Sequence, residues 1–111
     1  MAWRRRRREG RGRGAGAPGT MDRAAESVDR EHLEQFVATR TGVEGFVEPR
    51  TMVTETTLLL VAIDGEWTRR RVPDARWAHN WANKLGVPTY DAAVVGVPQR
   101  MRDWNSRQRK S

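Results

Sequence analysis

The sequence predicts a small α+β domain, in which about three helices pack against a three-stranded mixed sheet made of a β-hairpin and one crossover strand. Three features predict this class. Residues 56–63 are a long apolar segment that ends at Asp64-Gly65, the dipeptide most typical of a two-residue hairpin turn. Residues 74–85 carry apolar side chains at helical spacing, and residues 89–95 form a second apolar segment. A strand, a helix and another strand in this order favour a right-handed crossover to a parallel strand.

The first helix is predicted over residues 29–40. Asp29 is a suitable N-cap, and Gly42 follows as a stop signal. We expect His32 on the helix surface, beside a narrow apolar stripe made of Leu33, Phe36 and Val37.

The segment after this helix is predicted to be irregular. It covers residues 42–53, where Pro49 disfavours a central strand. Phe46 is expected to fill one edge of the core.

The hairpin is the structural centre of the predicted fold. Residues 56–63 are apolar at odd and even positions alike, which is typical of a strand covered on both faces. A two-residue turn would place Ala62 opposite Trp67 and Leu60 opposite Arg69. The return strand is much more polar, so we place it at the sheet edge.

The return strand carries three consecutive arginines, Arg69, Arg70 and Arg71. Arginines at an edge strand block pairing with another sheet. They are also candidate ligands for phosphate groups, and both interpretations remain open.

The second helix follows Asp74, a good N-cap, and ends before Gly86. Its apolar side chains fall at spacings of four: Trp77, Trp81 and Leu85. Such a stripe is typical of a core, and the alternative is that the tryptophans stack on nucleobases.

The last part of the chain is predicted as a strand over residues 89–95 and a basic amphipathic helix over residues 98–108. The turn at residues 96–98 leads into the N-terminus of that helix. Free backbone amides at Gln99 and Arg100, with the Arg100 side chain, could hold a phosphate there. An ordinary strand-to-helix turn is the alternative.

The net charge of +7 is concentrated at the two ends of the chain. Residues 1–20 hold seven arginines and one glutamate, whereas residues 21–99 hold 12 acidic and nine basic side chains. We predict a disordered Arg/Gly-rich extension over residues 1–27 and one domain over residues 28–111. The extension is either an arm for nucleic acid or upstream sequence with a misplaced start, Met21 and Val28 being candidate starts.

The composition excludes several classes of chemistry. No cysteine is present, which removes disulfides, thiolate metal sites and dithiol redox chemistry. The glycines at positions 14, 16 and 19 match a dinucleotide-binding spacing, but no strand precedes them. No carboxylate pair, histidine cluster or serine elbow indicates catalysis. We therefore expect no metal, no cofactor, no membrane association, a cytoplasmic location and, on balance, no enzymatic activity.

Much of the chain resembles a family of small actinobacterial proteins. The resemblance covers residues 29–105 and lies in the segments DREHLEQFV, EGFVEPRT, TETTLLLVA, DGEWTRRRVP, RWAH and YDAAVVGVPQRMRDWN. Members of the family often carry the label oxidoreductase, so the resemblance implies a small redox or flavin-associated protein. Similar proteins begin close to Asp29, which favours residues 1–27 as an extension or a start-site error.

The residues themselves favour a different function, a non-catalytic binding module for RNA, a ribonucleoprotein or another acidic partner. The candidate contacts are seven arginines: Arg69, Arg70, Arg71, Arg100, Arg102, Arg107 and Arg109. A protein-interaction domain whose arginines only keep the edge strand soluble is a further hypothesis. Because a domain of about 80 residues buries a limited core, a homodimer formed through an apolar face is also expected.

Overall fold

The computed structural model describes the backbone of residues 19–110 and the side chains of residues 28–110. The α+β class is confirmed, since the described residues form four helices and a four-stranded mixed sheet. The elements in chain order are α1 Gly19–Thr39, β1 Glu44–Glu48, β2 Thr57–Val61, β3 Trp67–Arg71, α2 Ala75–Lys84, β4 Thr89–Asp91, α3 Ala92–Val95 and α4 Gln99–Lys110.

The sheet has the strand order β3-β2-β1-β4. β1 and β3 run antiparallel to β2, and β4 runs parallel to β1. The hairpin strand β2 is therefore interior and the arginine strand β3 lies at an edge, as the sequence predicts. We expected the crossover strand to pair with a strand of the hairpin. Instead, the crossover strand β4 pairs with β1.

The strand missed by the sequence analysis is β1. Its central residues Gly45, Phe46 and Val47 are buried, and all five of its residues pair with β2. Pro49 lies just beyond the last paired residue, Glu48, so its missing N–H removes no ladder hydrogen bond. The proline marks the end of the strand and does not exclude it.

The hairpin turn is one residue longer than predicted. The amide of Ala62 donates to the Glu66 carbonyl at 2.8 Å, and the amide of Gly65 donates to the Ala62 carbonyl at 2.9 Å. Gly65 adopts φ 97°, which is typical of a three-residue loop with a bulge. Leu60 consequently pairs with Thr68, and Arg69 with Leu59.

Helices cover both faces of β2. Leu58 and Leu60 pack on one face with Leu33 of α1 and Ala78 of α2. On the other face, Leu59 and Val61 pack with three further side chains, Phe46, Trp67 and Met101. Burial on both sides explains why β2 lacks an alternating pattern.

The first helix is longer than predicted. α1 begins at Gly19, so Asp29 lies within it and does not cap it. The helix-forming residues Ala24 and Ala25 extend it toward the N-terminus. The predicted extension therefore overlaps this helix at residues 19–27, and its residues 1–18 lie outside the described residues.

The second helix begins as predicted, because the Asp74 carboxylate accepts a hydrogen bond from the Trp77 amide at 2.8 Å. Ala78 and Ala82 are its fully buried residues. Trp77 and Trp81 are half-buried and stack on each other, with ring centroids 5.8 Å apart.

The last strand is shorter than predicted. It ends at Asp91, whose side chain accepts from the Ala93 amide at 2.9 Å and so caps the short helix α3. The apolar residues expected in a buried strand are therefore partly exposed, and Val94 and Val95 face solvent.

Candidate nucleic-acid interface

The three consecutive arginines of β3 do not form one basic strip. Side chains alternate between the two faces of a strand, so Arg69 and Arg71 share the α4 face with Trp67, whereas Arg70 lies on the α1 face.

Arg69 is engaged by a carboxylate. Its Nε donates to Glu48 Oε1 at 2.7 Å, and its Nη2 donates to Glu48 Oε2 at 3.0 Å. Its guanidinium also lies 5.3 Å from the centroid of the Trp67 ring. This bidentate pair compensates the charge of Arg69 but leaves a planar cation and an indole next to each other on one face.

Arg70 belongs to a separate polar cluster under α1. Its Nε lies 3.6 Å from Asp29 Oδ1. His32, expected on the surface, is half-buried, and its Nε2 lies 2.6 Å from Thr68 Oγ1. Burial, with the charge of Arg70 beside it, lowers the pKa of the His32 imidazole.

Arg100 is turned toward the hairpin. Its Nη2 donates to Glu44 Oε1 at 2.7 Å, and its Nε donates to the Ala62 carbonyl at 2.9 Å. The phenol of Tyr90 donates to the other oxygen of Glu44 at 3.2 Å, and the negative charge of Glu44 raises the pKa of Tyr90. The Arg100 side chain, predicted as a phosphate ligand, therefore joins α4 to β1 and β2.

A cleft of about 530 Å³ opens beside Arg100, and Arg40 also borders it. The Arg40 guanidinium donates to Glu66 at 2.6 Å, so each arginine of the cleft is already paired with a glutamate. Glu44 is a third charged residue in the lining, and the other described lining residues are valine, isoleucine, glycine and proline.

The described residues also offer no arrangement for a metal ion, since no group of three or more His, Asp or Glu side chains among them is suitably placed. His79, the second histidine, bonds Thr89 Oγ1 at 2.7 Å and so links α2 to β4.

The remaining candidate arginines lie on α4 or at the end of β3. Arg102 donates to Gln99 at 3.0 Å, and Arg109 donates to Ser106 at 3.3 Å, so the recorded hydrogen bonds of both are to uncharged groups. Arg107 is tied to the hairpin turn by a 2.8 Å hydrogen bond to the Asp64 carbonyl. The side chain of Arg71 is exposed at the end of β3.

A hydrogen bond joins β3 to α4. The Trp67 indole donates from Nε1 to Asn105 Oδ1 at 2.8 Å. Asn105 is three residues after Arg102 and four before Arg109, so the three side chains are neighbours on the helix surface. We call the combined area the β3/α4 surface; it consists of Trp67, Arg69, Arg71, Arg102, Asn105 and Arg109.

Sequence reasoning missed Trp67 and Asn105 as members of this surface. The alternation of Trp67, Arg69 and Arg71 would have shown that they share a face. Nothing local indicated that Asn105 would lie against Trp67, because the two residues are 38 positions apart.

Comparison with protein-family models, with curated proteins and with solved structures gave no match. The resemblance to actinobacterial proteins labelled oxidoreductase therefore stays a prediction. None of the helices among the described residues combines the length and apolar character needed to cross a bilayer.

Proposed function

We propose that this protein is a non-catalytic binding module for RNA and that the β3/α4 surface is its contact. The observation that carries the proposal is the Trp67–Asn105 hydrogen bond, which joins the indole of β3 to the helix that carries Arg102 and Arg109.

The two kinds of side chain on this surface have different roles. Arg71, Arg102 and Arg109 contact phosphates, because no carboxylate of the described residues is bound to them. Trp67 and the guanidinium of Arg69 offer a planar pair against which an unpaired base stacks. Unpaired RNA, with accessible bases and one strand of phosphates, fits this combination better than an acidic protein surface does.

The test must separate the domain from the arginine-rich tail, because seven arginines in residues 1–20 attract any polyanion. The full chain is therefore used with the tail arginines replaced by serine, at positions Arg4, Arg5, Arg6, Arg7, Arg8, Arg11 and Arg13. Binding of a fluorescent single-stranded RNA of mixed sequence is followed by anisotropy from about 50 to about 300 mM salt.

Binding that weakens as salt rises is expected. In the triple variant R71A/R102A/R109A the slope of log K against log salt should shrink by about 2, because each phosphate that an arginine neutralises on a single strand contributes about 0.7 to that slope. The matched control R30A/R50A/R76A removes three exposed arginines from other surfaces. Equal reductions of the slope in the two triple variants, or no binding by the chain with the serine tail, would refute the proposal.

A further inference from the structure

An apolar patch lies at the sheet edge opposite the arginine strand. On β4, Tyr90 exposes 38% of its surface, and on α3, Val94 and Val95 expose 78% and 55%. Because Asp91 ends the strand by capping α3, these valines project outward and do not enter the core. We call Tyr90, Val94, Val95 and the hollow beside them the β4/α3 patch.

The hollow has a volume of about 260 Å³. Phe46 and Tyr90 form part of its wall, with ring centroids 5.5 Å apart, and Val97 and Pro98 form another part. Its charged lining residue is Glu44, whose carboxylate is already engaged by Arg100 and Tyr90. A projecting apolar side chain and an apolar hollow therefore adjoin on the same patch.

We propose that the β4/α3 patch is the interface of a homodimer, in which Val94 of each protomer enters the hollow of its partner. A two-fold interface uses the same patch on both protomers, so the patch must be complementary to itself. A projection next to a hollow satisfies that condition. Within the described part of the chain, no strand pairs with the outer edge of β4, and two such edges can pair antiparallel about the same axis.

The distribution of charge makes this patch a more favourable place for two copies of the chain to meet than other parts of the surface. Two chains that each carry +7 repel one another, and the repulsion is weakest where basic side chains are fewest. The charged residues recorded at the patch are Glu44 and Asp91, with Arg100 reaching it only through its ion pair to Glu44. The candidate basic residues of β3 lie at the far edge of the sheet.

The dimer has a consequence that rests on the proposed function. Since β4 and β3 are opposite edges, association through β4 leaves both β3/α4 surfaces accessible. One particle then presents two RNA contacts, and binding to a long RNA gains from avidity.

The dimer is tested by sedimentation velocity on the full chain without nucleic acid. The protein concentration is varied from about 5 to about 500 μM, because a small interface gives weak association. We expect the mass to rise with concentration toward twice the 12.7 kDa of one chain. Val94→Glu should keep the mass at that of one chain throughout. Because Val94 is mostly exposed, the glutamate should not disturb the core. A thermal unfolding transition like that of the natural chain shows that the variant is folded.

The matched control is Val53→Glu, which places the same charge on a 90% exposed valine of the β1–β2 loop. It should dimerise like the natural chain. A natural chain that stays monomeric over the whole range, or a V53E variant that loses the dimer as V94E does, would overturn the proposal. RNA is absent from this experiment, so its result is independent of whether RNA binding is found.

Discussion

Arg100 of α4 and Glu44 of β1 form an ion pair at 2.7 Å, although 56 positions separate them in the chain. The same guanidinium donates to the carbonyl of Ala62 at the end of the hairpin. A side chain that the sequence suggested for phosphate binding thus connects the last helix to the sheet.

Replacing Arg100 by methionine should destabilise the protein by about 1–3 kcal/mol, because Glu44 loses its charged donor and the hairpin end loses a hydrogen bond. The side chain is about one-third exposed, which limits the effect through solvent screening. Urea unfolding followed by tryptophan fluorescence measures the change. Arg102→Met, on the exposed face of the same helix, should stay within about 0.5 kcal/mol. Equal effects in the two variants would contradict the structural role of Arg100.

Gly65→Ala should be among the most damaging small substitutions. Gly65 has φ 97°, and an added Cβ would collide with the Arg100 carbonyl oxygen of α4. The left-handed backbone and the overpacking together should cost about 2–4 kcal/mol. Gly86→Ala is the matched control, because Gly86 has φ 79° but nothing lies within 4 Å of its added Cβ. The free energy of unfolding of that variant should fall only by the cost of placing alanine in a left-handed backbone conformation, about 1–2 kcal/mol. Chemical denaturation of the two variants makes the comparison.

His32 should make stability depend on pH in the mildly acidic range. Its folded-state pKa lies below the ordinary value of 6.5, so the unfolded chain binds the proton first as the pH falls. Neutral His32 therefore contributes to the free energy of unfolding fully above pH 6.5. This contribution is lost as the pH falls toward the folded-state pKa.

The corresponding measurement is urea unfolding at a series of pH values for the natural chain and for His32→Gln. Between pH 6.5 and the lower folded-state pKa, the natural chain should lose more stability than H32Q does. His79→Gln, which removes the other histidine, should retain the pH dependence due to His32. Identical pH profiles for the natural chain and H32Q would exclude this contribution.

Asp74→Ala should cost about 1 kcal/mol, because the Trp77 amide loses its capping partner at the start of α2. Faster amide hydrogen exchange should be confined to the first turn of that helix. Asp103→Ala removes an exposed carboxylate from the middle of α4, where its recorded partner is Gln99, and should change stability by less than about 0.5 kcal/mol. Unchanged exchange in D74A would mean that the cap contributes nothing measurable.

Sequence patterns within a few residues were sufficient to predict several elements of the fold. The apolar segment of β2, the polar edge strand β3 and the Asp74 cap each depend on residues close in sequence, so their patterns predict them directly. β1 was missed because it is five residues long and its stability comes from pairing with β2 and β4. The hairpin register was displaced because Asp64-Gly65 forms part of a three-residue loop.

The candidate site, like the fold, could be predicted from the sequence only in part. The sequence shows which cations exist, and the strand period shows that Arg69 and Arg71 lie together and apart from Arg70. It does not show that Glu48 engages Arg69 or that Glu44 engages Arg100, since each partner comes from a distant element.

By itself, the sequence determined the α+β class, the buried hairpin strand, the position of the arginine strand at the edge and the start of α2. These properties arise from burial patterns and caps within a few residues. Only the tertiary structure decided which arginines are paired with carboxylates and which border the Trp67–Asn105 contact. The physical reason is that ion pairs and contacts between a helix and a strand depend on where distant elements meet, and the order β3-β2-β1-β4 sets those positions.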